Sequence, residues 1–135
     1  MLQIVYISTA RRRFSRRELE AVLLKSRLNN GRVGITGLLV CGGKRFVQAL
    51  EGPAEAVSAT FERIKADDRH FAIVPLSIRR VEAREFGTWS MGYEAGGTGG
   101  SDDLRQTVEK LVAPLQDRNL AAQFTGFAEI HARAA

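Results

Sequence analysis

Cysteine is nearly absent: Cys41 stands alone in a chain of 135 residues. A lone thiol excludes an intrachain disulfide and fits a reducing compartment, so the cytoplasm is the expected location. Histidine is almost as scarce. His70 and His131 lie far apart, and together with Cys41 they offer no spacing at which a metal ion is held. Long apolar runs are missing as well, since no stretch approaches the roughly 18 residues that a membrane helix needs. At the N-terminus the apolar stretch Leu2–Ile7 precedes the basic stretch Arg11–Arg17, the reverse of the order in a secretory signal. There is no internal repeat, and the single low-complexity tract is the Gly-rich run at residues 95–101.

What remains is an ordinary globular composition. At 44% hydrophobic residues, wholesale disorder is excluded, and the length suits one core with a short appendage. The net charge of +5 is uneven: residues 1–32 hold eight Lys/Arg against two Glu, whereas residues 101–135 hold four Lys/Arg against five Asp/Glu. A basic half of this kind suits nucleic acid or a phosphorylated ligand, and equally a solvated turn that serves solubility.

Leu2 to Ser8 reads as a strand with Ile4 and Tyr6 on one face and Val5 and Ile7 on the other. Both faces are apolar, so the strand is expected to be central and covered on both sides. Ser15-Arg16-Arg17-Glu18 is a capping box, followed at helical spacing by Leu19, Val22 and Leu23. Asn29-Asn30-Gly31 is the expected end of that helix, because Asn and Gly accept a left-handed backbone. Val33 to Val40 forms a second predicted strand, joined by a Gly42-Gly43 turn to a third, Arg45–Glu51, with Phe46, Gln48 and Leu50 on one face. Gly52-Pro53 opens a second helix whose inner stripe is Val57, Thr60, Phe61 and Ile64. Phe71–Val81 is a fourth strand, and a short fifth is placed around Trp89 to Tyr93.

The order β-α-β-β-α-β with an extra strand predicts an α+β, ferredoxin-like fold, with two helices on one face of an antiparallel sheet. After the Gly-rich linker, Leu104, Val108, Leu111 and Val112 predict a helix ending near Pro114, and Leu120, Phe124, Phe127 and Ile130 another. Two helices cover one sheet face only, so this two-helix appendage is expected to lie on the other.

Gln48 stands out between Phe46 and Leu50 on a buried face. A primary amide has two donors and two acceptor lone pairs, and each unmet one costs about 1–3 kcal/mol in a core. In a ferredoxin-like sheet the first and third strands are neighbours, so Tyr6 and Gln48 can meet across the ladder. By themselves these two residues are compatible with a tyrosine hydroxyl satisfying a core glutamine, or with a functional pair.

Five motifs in order then carry a resemblance: Tyr6-Ile7-Ser8; Asn29-Asn30 with Gly34-Ile35-Thr36-Gly37-Leu38-Leu39; Phe46-Val47-Gln48-Ala49-Leu50-Glu51-Gly52; Asp67-Asp68-Arg69-His70; and Phe86-Gly87-Thr88-Trp89-Ser90-Met91. Together they resemble a BLUF domain, a blue-light sensor that uses FAD. The resemblance covers about residues 1–94, with the linker at 95–101 and the helical appendage at 102–135. It implies non-covalent FAD between the two helices, with Tyr6 as electron and proton donor and Gln48 as the hydrogen-bonding relay to the ring. It implies ring and ribityl contacts from Asn30, Asn29, Asp67, Arg69 and His70, and a signalling role for Trp89 or Met91. For Asn29 a plain C-cap role remains open, as core packing does for Trp89 and Met91. The basic segment Arg11–Arg17 with Lys25 and Arg27 suits the FAD phosphates.

The resemblance is to the short, stand-alone members of the family. It implies a photoreceptor and not an enzyme, signalling through its C-terminal helices to a homo-oligomer or a separate downstream protein, with no nucleic acid and no membrane as partner. Two rivals differ in class. An acylphosphatase-type hydrolase would use Arg11–Arg13, but leaves Tyr6, Gln48 and Trp89-Ser90-Met91 unexplained. A nucleic-acid module would display aromatics on the open sheet face, whereas Tyr6 and Phe46 are assigned to the helix-covered one.

Overall fold

The computed structural model describes residues 1–12, 14–87, 92–95 and 101–131, with side chains for all of these except 92–95, 101–103 and 131. Its elements follow the predicted order: β1 (Leu2–Ala10), α1 (Arg16–Val33), β2 (Thr36–Gly42), β3 (Arg45–Gly52), α2 (Ala54–Ala66), β4 (His70–Arg80), β5 (Gly92–Ala95), α3 (Ser101–Val112) and α4 (Arg118–His131). The strands form one sheet in the order β4-β1-β3-β2-β5. The first four are antiparallel, and β5 runs parallel to β2. This is the ferredoxin-like arrangement, and it puts β1 beside β3.

The capping box forms as expected. Ser15 Oγ accepts the Glu18 amide at 3.1 Å, while Glu18 Oε1 accepts the Ser15 amide at 3.0 Å. The end of α1 differs from expectation. The helix runs past Asn29-Asn30-Gly31 to Val33, and the left-handed residue is Gly34, with φ 76. Asn30 stays helical because its carbonyl accepts the amides of both Gly34 and Ile35, and Gly34 takes the positive φ without a Cβ penalty. β2 therefore starts at Thr36 and not at Val33, and the tight turn falls on Gly43-Lys44, where Gly43 has φ 62. The fifth strand lies at Gly92–Ala95, later than the position expected around Trp89 to Tyr93; Trp89, Met91 and linker residues 96–100 lie outside the described residues.

Each face of the sheet carries its own core. Ile4, Tyr6, Leu39 and Leu50 pack with Leu23 of α1 and with Val57 and Phe61 of α2. On the opposite face Val5, Leu38, Val40, Val47 and Ala49 pack with α3 and α4 through Leu104, Val108, Leu120 and Phe124. Full burial of a residue such as Phe124, from which no surface reaches solvent, is worth about 1.5–3 kcal/mol in area removed from water. Ile130, expected on the same stripe, is 70% exposed. At 100° per residue it falls to the side of the line through Leu120, Phe124 and Phe127, and Ala128 takes the inward place.

Candidate functional site

β1 and β3 bring Tyr6 and Gln48 into direct register. The phenol donates to Gln48 Oε1, so Nε2 is the amide's donor end. Both side chains are buried, at 4% and 8% exposure. The Tyr6 ring also rests against Phe61, with centroids 5.4 Å apart. Burial pushes the Tyr6 pKa well above its ordinary value, and nearby Cys41 and Asp67 add to the shift. The phenol is therefore protonated throughout the physiological range and is present as a hydrogen-bond donor. Burial likewise pushes the Cys41 thiol up, which makes it a poor nucleophile.

Above this pair a cleft of about 440 Å³ opens between α1 and α2, within the size range of small-molecule sites. Its walls are Leu19, Val22 and Leu23 of α1 and Thr60 and Ile64 of α2, over a floor of Leu39, Phe46 and Leu50. Of the predicted inner stripe of α2, Val57 and Phe61 are not among the residues lining it. They sit buried in the core beneath it, while Thr60 and Ile64 of the same stripe line the cleft together with Arg63. The residues singled out for ring and ribityl contact all line this cleft, namely Gln48, Asn29, Asn30, Asp67, Arg69 and His70. Of the described basic residues suited to the phosphates, Lys25 lines it, whereas Arg11, Arg12, Arg16, Arg17 and Arg27 do not. Asn30 is buried, at 4% exposure, and Asn29 is exposed at the lip.

Asp67 and Arg69 are paired at the C-terminal end of α2. Arg69 Nε lies 3.0 Å from both carboxylate oxygens, and this bond holds the Asp67 carboxyl down at about 2. The pair is close to neutral as a unit, so the cationic groups at the rim are Lys25 and Arg63. His70 ties elements together: Nε2 donates to the Ile64 carbonyl at 2.7 Å, and Nδ1 lies 2.9 Å from Ser8 Oγ. The carbonyl can only accept, which fixes the proton on Nε2. His70 thus fastens the end of α2 to β1 with both ring nitrogens.

One buried group escaped notice in the sequence. Glu51 has no exposed surface, and its only signal there is a carboxylate following Ala49 and Leu50 at the end of a predicted strand. Among the described residues every buried side-chain nitrogen or oxygen has a hydrogen-bond partner, so the core tolerates its polar groups by pairing them.

The arrangement suits a flat, largely apolar ring with a polar edge. Two apolar walls flank the cleft, and the amides of Asn30 and Gln48 with the Tyr6 phenol supply convergent hydrogen-bonding groups at its foot. Known proteins show what this chain is similar to. The chain is 31% identical over 125 residues to the photoactivated adenylate cyclase subunit beta of Euglena longa, a match that takes in 90% of this chain and 13% of that protein. Its fold superposes on the dark-state structure of BlrB, a BLUF protein, with a TM-score of 0.70 and 31% identity, over 96% of this chain and 91% of that one. It also superposes on Klebsiella pneumoniae BlrP1 in complex with FMN and cyclic diGMP, with a TM-score of 0.78 and 26% identity, over 95% of this chain and 34% of the other. Residues 1–92 match the family model for BLUF, sensors of blue-light using FAD, and those residues include the whole Tyr6–Gln48 cleft; the chain belongs to that family.

Proposed function

We propose that this chain is a blue-light photoreceptor that holds FAD non-covalently in the α1–α2 cleft and signals by a change of shape, without turning over a substrate. The observation that carries the proposal is the direct Tyr6–Gln48 hydrogen bond at the foot of a cleft with apolar walls. The residues fit the ring: Leu19, Val22 and Ile64 offer its faces apolar contact, and Asn30 and Gln48 offer its rim amide groups. A bound flavin supplies blue-light absorption and an electron-accepting excited state.

The chain supplies the rest. Tyr6, held as a neutral phenol by its burial, would give up an electron and its phenolic proton. Gln48 passes the proton on and reorders its own hydrogen bonds. An amide suits this task because its two ends differ, so turning it over, or converting it to its imidic tautomer, exchanges donor for acceptor with little change in volume. Asn30 steadies the polar edge of the ring, and Asn29, Asp67, Arg69 and His70 shape its surroundings. Lys25 and Arg63 at the rim suit the phosphates. Trp89 and Met91 relay the change by their likeness to the family's positions, and the C-terminal helices α3 and α4 deliver it to a second copy or a separate signalling protein in the cytoplasm. The cyclase activity named for the Euglena relative belongs to a protein of which this chain spans 13%. Among the described residues no helix is long and apolar enough to cross a membrane.

The test is the visible spectrum in the dark and after blue light. A flavin spectrum that moves slightly to longer wavelength and recovers in darkness is the expected result. Tyr6→Phe or Gln48→Leu should keep the flavin and lose the shift. A colourless protein that stays colourless after incubation with FAD would refute the proposal.

A further inference from the structure

Tyr6–Gln48 is a buried hydrogen-bonded side-chain pair that bridges β1 and β3, and a second such pair lies farther along the ladder. That second pair is Gln3–Glu51, three positions away on both strands and in direct register. Gln3 Nε2 donates to Glu51 Oε2 at 3.3 Å, and neither residue has any exposed surface. Side chains alternate along a strand, so the two pairs lie on opposite faces. Tyr6–Gln48 faces α1 and α2, and Gln3–Glu51 faces α3 and α4. Any tilt or slide of β3 against β1 at the first pair acts on the second, about 10 Å along the ladder.

Four donors surround the Glu51 carboxylate. Oε1 accepts Thr36 Oγ1 at 3.1 Å and the Phe86 amide at 2.7 Å; Oε2 accepts the Gln3 amide and the Glu85 amide, the latter at 3.1 Å. They fill the four lone-pair positions of the group. The chain of bonds then continues to the C-terminal helices. The Glu85 carboxylate accepts the Gln116 amide at 2.9 Å and the Asp117 amide at 3.3 Å. Asp117 Oδ1 in turn accepts the amides of Asn119 and Leu120, at 3.0 and 3.1 Å, and so caps α4. Asp117 also pairs with Arg79, whose Nε donates to Gln3 Oε1 at 3.3 Å, which closes the ring.

We infer that Glu51 is the positioning residue through which a rearrangement at Gln48 reaches the N-terminus of α4, by way of the Glu85–Phe86 backbone and the Glu85 carboxylate. This rests on the light-sensing role proposed above and gives it an output route that runs entirely through described residues. Glu51 touches no part of the cleft, so it acts on the signal and not on the photochemistry.

The decisive substitution is Glu51→Gln in the full chain with flavin bound. Thr36 and Gln3 can turn their polar ends, but the Glu85 and Phe86 amides cannot. Either orientation of the new amide therefore sets its NH2 against a backbone N–H. Hydrogen–deuterium exchange is followed in the dark and under blue light at the amides of Gln116, Asp117, Asn119 and Leu120. In the unsubstituted protein light should change their exchange on the order of tenfold, the effect of about one hydrogen bond. In Glu51→Gln the red shift of the flavin should persist while the light effect on these amides disappears. Glu85→Ala, at a half-buried position, cuts the same route without touching the core, and should give the same result if Glu51→Gln does not fold. A light effect at these amides that survives in either folded variant overturns the inference, as does loss of the red shift in Glu51→Gln. An unsubstituted protein whose spectrum shifts but whose four amides do not respond overturns it too. If that spectrum does not shift at all, the light-sensing proposal itself falls, which is a distinguishable result.

Discussion

A double-mutant cycle across Tyr6 and Gln48 measures the central pair without reference to light. Tyr6→Phe removes the donor and leaves Gln48 Oε1 without the phenol it accepts; Gln48→Leu removes the acceptor and leaves the Tyr6 hydroxyl stranded. Both groups are more than nine-tenths buried, so each single substitution should cost about 1–3 kcal/mol, mainly as the desolvation of the group left behind. The double substitution strands neither. Its cost should be below the sum of the two by about 1–2 kcal/mol, since removing both partners of a buried bond together is far cheaper than removing one. Urea unfolding followed by circular dichroism reads this directly. With a slope of about 2 kcal/mol/M for a domain of this size, the coupling corresponds to about 0.5–1 M in midpoint. The cycle is run at one fixed, saturating FAD concentration, because a ligand that binds only the folded state adds its own stabilisation. Costs that simply add, within about 0.5 kcal/mol, would show that the two side chains do not form the bond on which the whole site depends.

Two further outcomes follow from local geometry. The Asp67 carboxyl sits at about 2 in the folded chain against an ordinary 3.8, because Arg69 hydrogen-bonds to it. Its contribution to stability is therefore complete above about pH 4 and is lost as the pH falls through 2. The pair is partly exposed, so after screening that contribution is about 1 kcal/mol; Asp67→Asn should lose it at pH 7 and match the parent protein near pH 2, which acid titration of the unfolding midpoint checks. Gly52 ends β3 where a Cβ would lie 2.5 Å from the Gly34 carbonyl oxygen. Since that neighbour is backbone, Gly52→Ala should destabilise the fold by about 1–3 kcal/mol and disturb the junction of α1 with β2; an unchanged melting curve would contradict the packing described.

Much of this was legible along the chain, and the exceptions share a cause. Apolar residues on both faces of Leu2–Ser8 marked β1 as central, and the Ser15–Glu18 box marked the start of α1, because both depend on neighbours within a few residues. The adjacency of Tyr6 and Gln48 followed from topology, which the order of elements dictates. The end of α1 did not follow, because Asn30 and Gly34 are both credible stops, and the choice lies with tertiary packing that buries Asn30 at the cleft. Which residues of α2 face the cleft is likewise decided by tertiary packing. Val57, Thr60, Phe61 and Ile64 form one broad stripe, and only the position of α2 over the sheet decides that Thr60 and Ile64 line the opening while Val57 and Phe61 lie beneath it.

Glu51 was illegible in a stronger sense. A carboxylate at the end of an apolar strand reads as a strand terminus, and its four donors come from residues 3, 36, 85 and 86. Only the folded sheet assembles them. Its burial also follows from the covering of both faces. If α3 and α4 left the lower face to solvent, Glu51 would be hydrated and would need none of these bonds, and the Gln3–Glu51 pair would be worth little. With the helices in place, the carboxylate must keep all four donors to stay buried. A small displacement of β3 then cannot be absorbed by water, and has to be passed on to whatever supplies those donors. Covering the second face is thus what makes the lower pair responsive, and it places the response at the turn that leads into α4.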